Sequence, residues 1–264
     1  MRVIFTYAEL ACRCFAVIFF IVSDCAAAAC VRNDFPVAID PGHTRTNPGA
    51  ISARGRTERE FNELLASRFL DELLRAGFAK AFLTNVADDV LSLADRPRIA
   101  AARRAQLLVS IHHDSAQPHL LSHWDYAGKH RAYTDSFSGY SLFVSNRNGD
   151  PVGSLRFARL LGTQLRTTCL NPTLHHAVTI PGEGREVVDP GLGIYRFNDL
   201  AVLAGASMPA VLVEAGVIVN RRDELLLRSS SHRRKIALAL AEAVIAYCDT
   251  NLPPFPPSPP NHYR

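Results

Sequence analysis

The 264-residue chain has no extended block of lysine and arginine, and its basic residues do not interleave with aromatic ones. That sets nucleic acid aside as a partner. None of its six cysteines stands at zinc-ribbon spacing, so a cysteine-held structural zinc is set aside too. There is no internal repeat, and no Gly/Ser/Pro-rich break interrupts the region from residue 37 to about 249. A repeat architecture and a linker-joined pair of domains are therefore not expected. No clean apolar run reaches the ~20 residues that a membrane-spanning helix needs. What remains is ordinary globular material, with 48% hydrophobic and 20% charged residues. The net charge of +4 is mild and suits a loose attraction to an acidic polymer.

The two ends read differently from the middle. Arg2 gives a weakly positive start, Cys14–Val22 is a compact apolar run, and small residues follow at Ala26–Ala29. These are the three parts of a secretory signal peptide, so residues 1–29 are expected to be removed on export to the periplasm or cell envelope. Cys30 directly after the alanines also admits a lipoprotein-type cleavage, although Ala27 stands where leucine is usual. Cleavage leaves Cys30, Cys169 and Cys248. Cys169 and Cys248 could pair, but buried free thiols are the expectation. Residues 251–264 hold six prolines and no core residue, which reads as a disordered tail.

Between these ends, apolar runs and helical patterns alternate. Val37–Ile39 is a buried strand ended by Pro41-Gly42, which presents His43. Thr57 and Glu60 form a capping box for a helix that Gly77 ends. Short strands are expected over Lys80–Thr84, Gln106–Ile111, Ser141–Val144 and Ala210–Val213. Helices are expected from Ser92 to Arg104, from Ser154 to Thr167, over Phe197–Ala204, and from about Asp223 to Tyr247. Gln117–Ser138 reads as a long surface loop and Leu170–Arg196 as a second irregular region. The alternation predicts an α/β fold: a largely parallel twisted sheet flanked by helices on both faces, in a single domain.

In a parallel sheet the carboxyl ends of the strands share one edge. That edge gathers His43, His112 (or His113) and Glu214, with Glu58 opening the helix just after the first strand. Two imidazoles and a carboxylate are a known catalytic zinc set with a position left open for water. A further carboxylate could then take the proton of that water. Singly, each residue has a plainer reading. His43 is a solvated loop residue, Glu58 answers the helix dipole, and His112 is a satisfied core histidine. Glu214 is harder to dismiss, because a carboxylate directly after a buried strand needs a partner or a task.

Asp-Pro-Gly-His at 40–43, Glu-Arg-Glu-Phe-Asn at 58–62, Ser-Ile-His at 110–112 and Pro-Ala-Val-Leu-Val-Glu-Ala-Gly at 209–216 occur in that order. Together they resemble the zinc-dependent N-acetylmuramoyl-L-alanine amidases, of the bacterial cell-separation type. Asp88, Asp89, Ser92, Leu93 and Arg96 are similar to the same family's pattern. The resemblance spans roughly Val37 to Tyr247 and implies a catalytic domain over residues 36–250. It implies hydrolysis of the amide between N-acetylmuramic acid and L-alanine in peptidoglycan, with Zn2+ as cofactor. His43, Glu58 and His112 match the zinc ligands and Glu214 the catalytic glutamate. Glu58, fifteen residues after His43, matches better than Glu60. Asn220 matches a position expected to be structural.

His113 stands where the family has a small residue, which leaves a swap with His112 open. The family's long helical insertion over the site has no counterpart, so that mode of control by an activator is not expected. Asp40 either orients a ligand imidazole or caps its turn. His119 with His123, and His175 with His176, are not expected to be ligands. Trp124, Tyr126 and Tyr133 either line a glycan groove or simply pack. Two other functions stay in view: a zinc peptidase cutting within the stem peptide, and an inactive peptidoglycan-binding or amidase-activating module.

Overall fold

The computed structural model describes residues 30–85, 91–168 and 170–250. The leader at 1–29, the Asp88-Asp89 pair, Cys169 and the tail at 251–264 lie outside the described residues. The strands are β1 (Val37–Pro41), β2 (Phe82–Leu83), β3 (Leu107–Asp114), β4 (Ser122–Tyr126), β5 (Lys129–Tyr133), β6 (Ser141–Val144), β7 (Glu186–Asp189), β8 (Ile194–Arg196) and β9 (Ala210–Val217). The helices are α1 (Glu58–Arg75), α2 (Asp95–Ala102), α3 (Pro151–Leu165), α4 (Ala201–Ala204), α5 (Arg221–Arg228) and α6 (Ser230–Thr250).

Seven strands form one sheet in the order β2-β1-β3-β9-β6-β8-β7. β2, β1, β3 and β9 run parallel, as do β6 and β8, while β6 is antiparallel to β9 and β7 to β8. The expected α/β architecture is present, with a mixed sheet. Its central strands are largely apolar and buried on both faces, as parallel strands under helices must be. Alternation splits them: Val37, Ile39, Val109 and Val213 pack with α1, α3 and α6, whereas Ala38, Leu108 and Leu212 pack with residues of α2 and α4.

α1 starts at the expected capping box, with Thr57 accepting from the Glu60 N–H, and turns off at Gly77 in the left-handed region. Other boundaries differ. β3 and β9 run on to Asp114 and Val217, so His112 and Glu214 lie inside strands rather than past their ends. The expected last helix is two helices, broken where Ser229 is extended; Asn220 caps the first by accepting from the Arg222 and Asp223 N–H groups. The expected loop at 117–138 contains the β4–β5 hairpin, whose turn residues Ala127 and Gly128 both have positive φ. The second irregular region supplies β7 and β8.

The free-thiol expectation is corrected as well. Cys30 and Cys248 are joined by a disulfide, 218 residues apart in sequence and 5.5 Å apart at Cα. Phe35 stacks edge-on against both Phe78 and Tyr247, which brings the entry to β1 against the end of α6. Cys248 is thus not available to Cys169, nor the Cys30 sulfur to a lipid.

Candidate metal centre and active site

Register assembles the site. β1 and β3 pair Asp40 with Ser110 and Pro41 with Ile111, and β3 and β9 pair His112 with Glu214. Asp40, Ser110, His112 and Glu214 therefore share the sheet face that α2 and α4 cover, at its carboxyl edge. The Gly42 N–H donates to the Ile111 carbonyl and folds the turn onto β3. A Cβ on Gly42 would lie 2.3 Å from the His112 ring, so that turn and ring can meet only at glycine.

Glu58 reaches the same point from the first turn of α1. Its Oε2 is 2.8 Å from His43 Nε2 and its Oε1 is 2.9 Å from His112 Nδ1. The Ala50 N–H also donates to Oε2, and Asn62 Nδ2 donates to Oε1. Burial alone would raise the Glu58 pKa, but bonds to His112 and His43, and their charges, hold it far below the usual carboxylate range. The donor atoms of His43, Glu58 and His112 lie within 4.8 Å of one another. A borderline cation accepts two imidazoles and a carboxylate in this arrangement.

Strand alternation sends His112 and His113 to opposite faces. His113 points to the α1 face, where its Nδ1 is 2.7 Å from Asn62 Oδ1 and its ring packs on Phe61. Burial above all, with the His112 and Arg233 charges adding and Glu58 opposing, pushes its pKa down to about 3. It is a neutral core histidine, and it is His112 that faces Glu58.

Asp40 bonds neither a ligand imidazole nor its own turn directly. Its carboxylate accepts from Thr84 Oγ1, Ser110 Oγ and Arg96 Nη1. Arg96, nearly fully buried, also donates to the Pro41 and His43 carbonyls at 2.7 Å each. The pair clamps the backbone that carries His43, whose φ of 70° lies in the left-handed region. Gly49 closes the loop from the other side: a Cβ there would lie 2.5 Å from Glu58 Oε2 and 2.6 Å from His43 Cδ2.

Glu214 stands beside this set. Its Oε2 is buried with no hydrogen-bond partner. Burial, followed by the charges of Asp114 and Glu58, pushes its pKa well above the usual carboxylate range. It borders a cleft of about 240 Å³ with Asp114, Gln117, His176, Glu183 and Arg185. His43 and His112 border a neighbouring cleft of about 410 Å³. A buried carboxylate without a partner, next to a potential metal set, is chemically suited to general acid–base work in a hydrolysis.

Residues 37–246 match the family described as N-acetylmuramoyl-L-alanine amidase. The chain belongs to that family. Its curated relatives include the amidase AmiA of Escherichia coli, 30% identical over 218 residues that cover 80% of this chain and 75% of the relative. AmiC of Neisseria meningitidis is 31% identical over 229 residues, 82% of this chain and 53% of the relative. Among solved structures, an N-acetylmuramoyl-L-alanine amidase from Clostridium difficile superposes with a TM-score of 0.63, at 23% identity over 83% of this chain and 99% of the other. An N-acetylmuramyl-L-alanine amidase from Mycobacterium smegmatis gives 0.62, at 23% identity over 81% and 97%. These two likenesses bear on the fold.

Within the amidase family's boundaries, the structure also assigns residues that sequence reasoning left without a part. Arg96 stood in a family-like motif with no stated role, and Asn62 in another. Asp114 had no stated tie to His175 and His176, which are not expected from the sequence to be ligands; the three meet here. The aromatic trio packs: Trp124 Nε1 donates to the Ala53 carbonyl, and the Arg54 and Arg221 guanidiniums lie over Trp124. His119 falls on a single 3-10 turn and His123 in β4, so they do not share a helix.

Proposed function

We propose that this member of the amidase family hydrolyses the amide between N-acetylmuramic acid and the stem-peptide L-alanine as a zinc enzyme, with His43, Glu58 and His112 as ligands and Glu214 as base. The observation that carries the reading is the orphaned Glu214 carboxylate oxygen beside a converged His–Glu–His set. When bound, zinc would supply a Lewis acid for the amide carbonyl and lower the pKa of a water toward ~7. Glu214 takes the proton of the attacking water and returns it to the leaving amine nitrogen. The Arg96–Asp40 clamp fixes His43, and Asn62 fixes Glu58, so both hold their direction while substrate enters and leaves.

Export through a leader at residues 1–29 belongs to the same reading. The Cys30–Cys248 disulfide supports an oxidising compartment. Among the described residues no helix is long and apolar enough to cross a membrane.

Glu214→Ala is expected to retain zinc, by elemental analysis, and to lose hydrolysis of purified cell wall by about two orders of magnitude or more. Full activity would remove Glu214 as the base. Mass spectrometry of the products tests the bond: a free muramic lactyl carboxyl with an intact peptide is expected, and cleaved stem peptide would mean a peptidase.

A further inference from the structure

We propose that Asp114, His175 and His176 form a second divalent-cation site, of the kind zinc occupies, at the edge of the cleft that Glu214 borders. Asp114 is the last residue of β3, whereas the two histidines lie on a single 3-10 turn between α3 and β7. Asp114 Oδ2 is 2.7 Å from His176 Nε2 and 3.3 Å from His175 Nε2. The three donor atoms lie within 4.8 Å of one another.

This is the chemistry of the first set repeated. There a carboxylate lies between two imidazole nitrogens at 2.8 and 2.9 Å; here one carboxylate oxygen meets two at 2.7 and 3.3 Å. The donor set of two nitrogens and an oxygen suits zinc better than magnesium or calcium, which prefer oxygen alone.

Two observations separate the cluster from an ordinary histidine–carboxylate network. The first is that two imidazoles converge on one carboxylate oxygen: His175 Nε2, in a side chain with no exposed surface, lies 3.3 Å from Asp114 Oδ2 without the alignment of a hydrogen bond. A proton on one imidazole can bridge Asp114 to His176, but it leaves the His175 nitrogen unanswered. A cation answers all three donors.

The second is that the far side of every donor group is already held. His176 Nδ1 is 2.8 Å from Glu183 Oε2, and His175 Nδ1 is 3.0 Å from Thr173 Oγ1. Asp114 Oδ1 accepts from the Ser115 N–H, and Gln117 Nε2 donates to Glu183. A carboxylate behind an imidazole is the outer shell that fixes the tautomer of a metal-ligating histidine and directs its other nitrogen at the ion. The ion would tie the segment carrying His175, His176 and Glu183 to β3, and so set one wall of the cleft beside Glu214.

The test is zinc stoichiometry of the purified chain after equilibrium dialysis against zinc, read by elemental analysis. Wild type is expected to hold two zinc ions per chain. His43→Ala and His175→Ala should each hold one, and the double variant none. Wild type saturating at one ion that His43→Ala abolishes would overturn the second site and leave the catalytic reading intact. A single ion that survives His43→Ala and is lost in His175→Ala would support the second site and count against the first. Because the decisive ratio is measured on wild type, a variant that fails to fold does not blunt the result. Cobalt(II) titration of wild type gives an independent reading: two saturating steps in the visible spectrum are expected, and one step overturns the proposal.

Discussion

His43 holds a backbone conformation that costs an L-residue of order 1–3 kcal/mol. The Arg96 guanidinium, buried against Asp40 and bonded to the carbonyls on both sides of Gly42, is what keeps it there. Removing one partner of a buried ion pair strands the other, so Arg96→Ala should cost about 3–5 kcal/mol of stability. Zinc affinity in the folded protein should drop about 10–100-fold, as for loss of an outer-shell support. Denaturant melts and zinc titration read the two effects separately. An Arg96→Ala protein with wild-type zinc affinity would show that the turn holds its shape unaided. Arg96 was visible in the sequence only as part of a motif. Its task depends on where two carbonyls point, and no side-chain pattern encodes that.

At the scale of the element, β3 places two adjacent histidines on opposite faces. One meets Glu58 across the sheet edge and the other enters the core against Phe61. Their variants should therefore fail differently. His112→Ala is expected to lose zinc from the proposed His43–Glu58–His112 site with a near-normal thermal midpoint. His113→Ala should keep that zinc and lose stability, by about 1–3 kcal/mol for the stranded Asn62 and the emptied space. The opposite pattern would reverse the assignment. The same strand shows what sequence can yield. β1, β3 and β9 were legible because strands buried on both faces read as near-continuous apolar runs. β4 and β5 were not: Ser-His-Trp-Asp-Tyr and Lys-His-Arg-Ala-Tyr are polar and half-exposed, and Ala127-Gly128 is not a common turn pair. Nor was the Asp114–His175–His176 cluster, in which Asp114 lies 62 residues before His176.

For the whole molecule, the register of three parallel strands made the site readable in advance, since each strand end could be placed on one edge without knowing the helices. The closure of the domain was not readable, because pairing Cys30 with Cys248 requires knowing that the entry to β1 lies against the end of α6. A crosslink over so long a loop acts mainly on the unfolded chain. Cys30→Ser, or a reductant, should lower unfolding stability by about 2–5 kcal/mol while leaving the specific activity of the folded fraction unchanged. An equal loss of activity on reduction would place the bridge in the working of the site.

That bridge also decides how the domain bears load. Tension applied between Cys30 and the chain beyond Cys248 would run across one covalent bond and bypass everything between them. Pulled from those two points, the sheet and the two imidazoles beside Glu58 would stay mechanically slack.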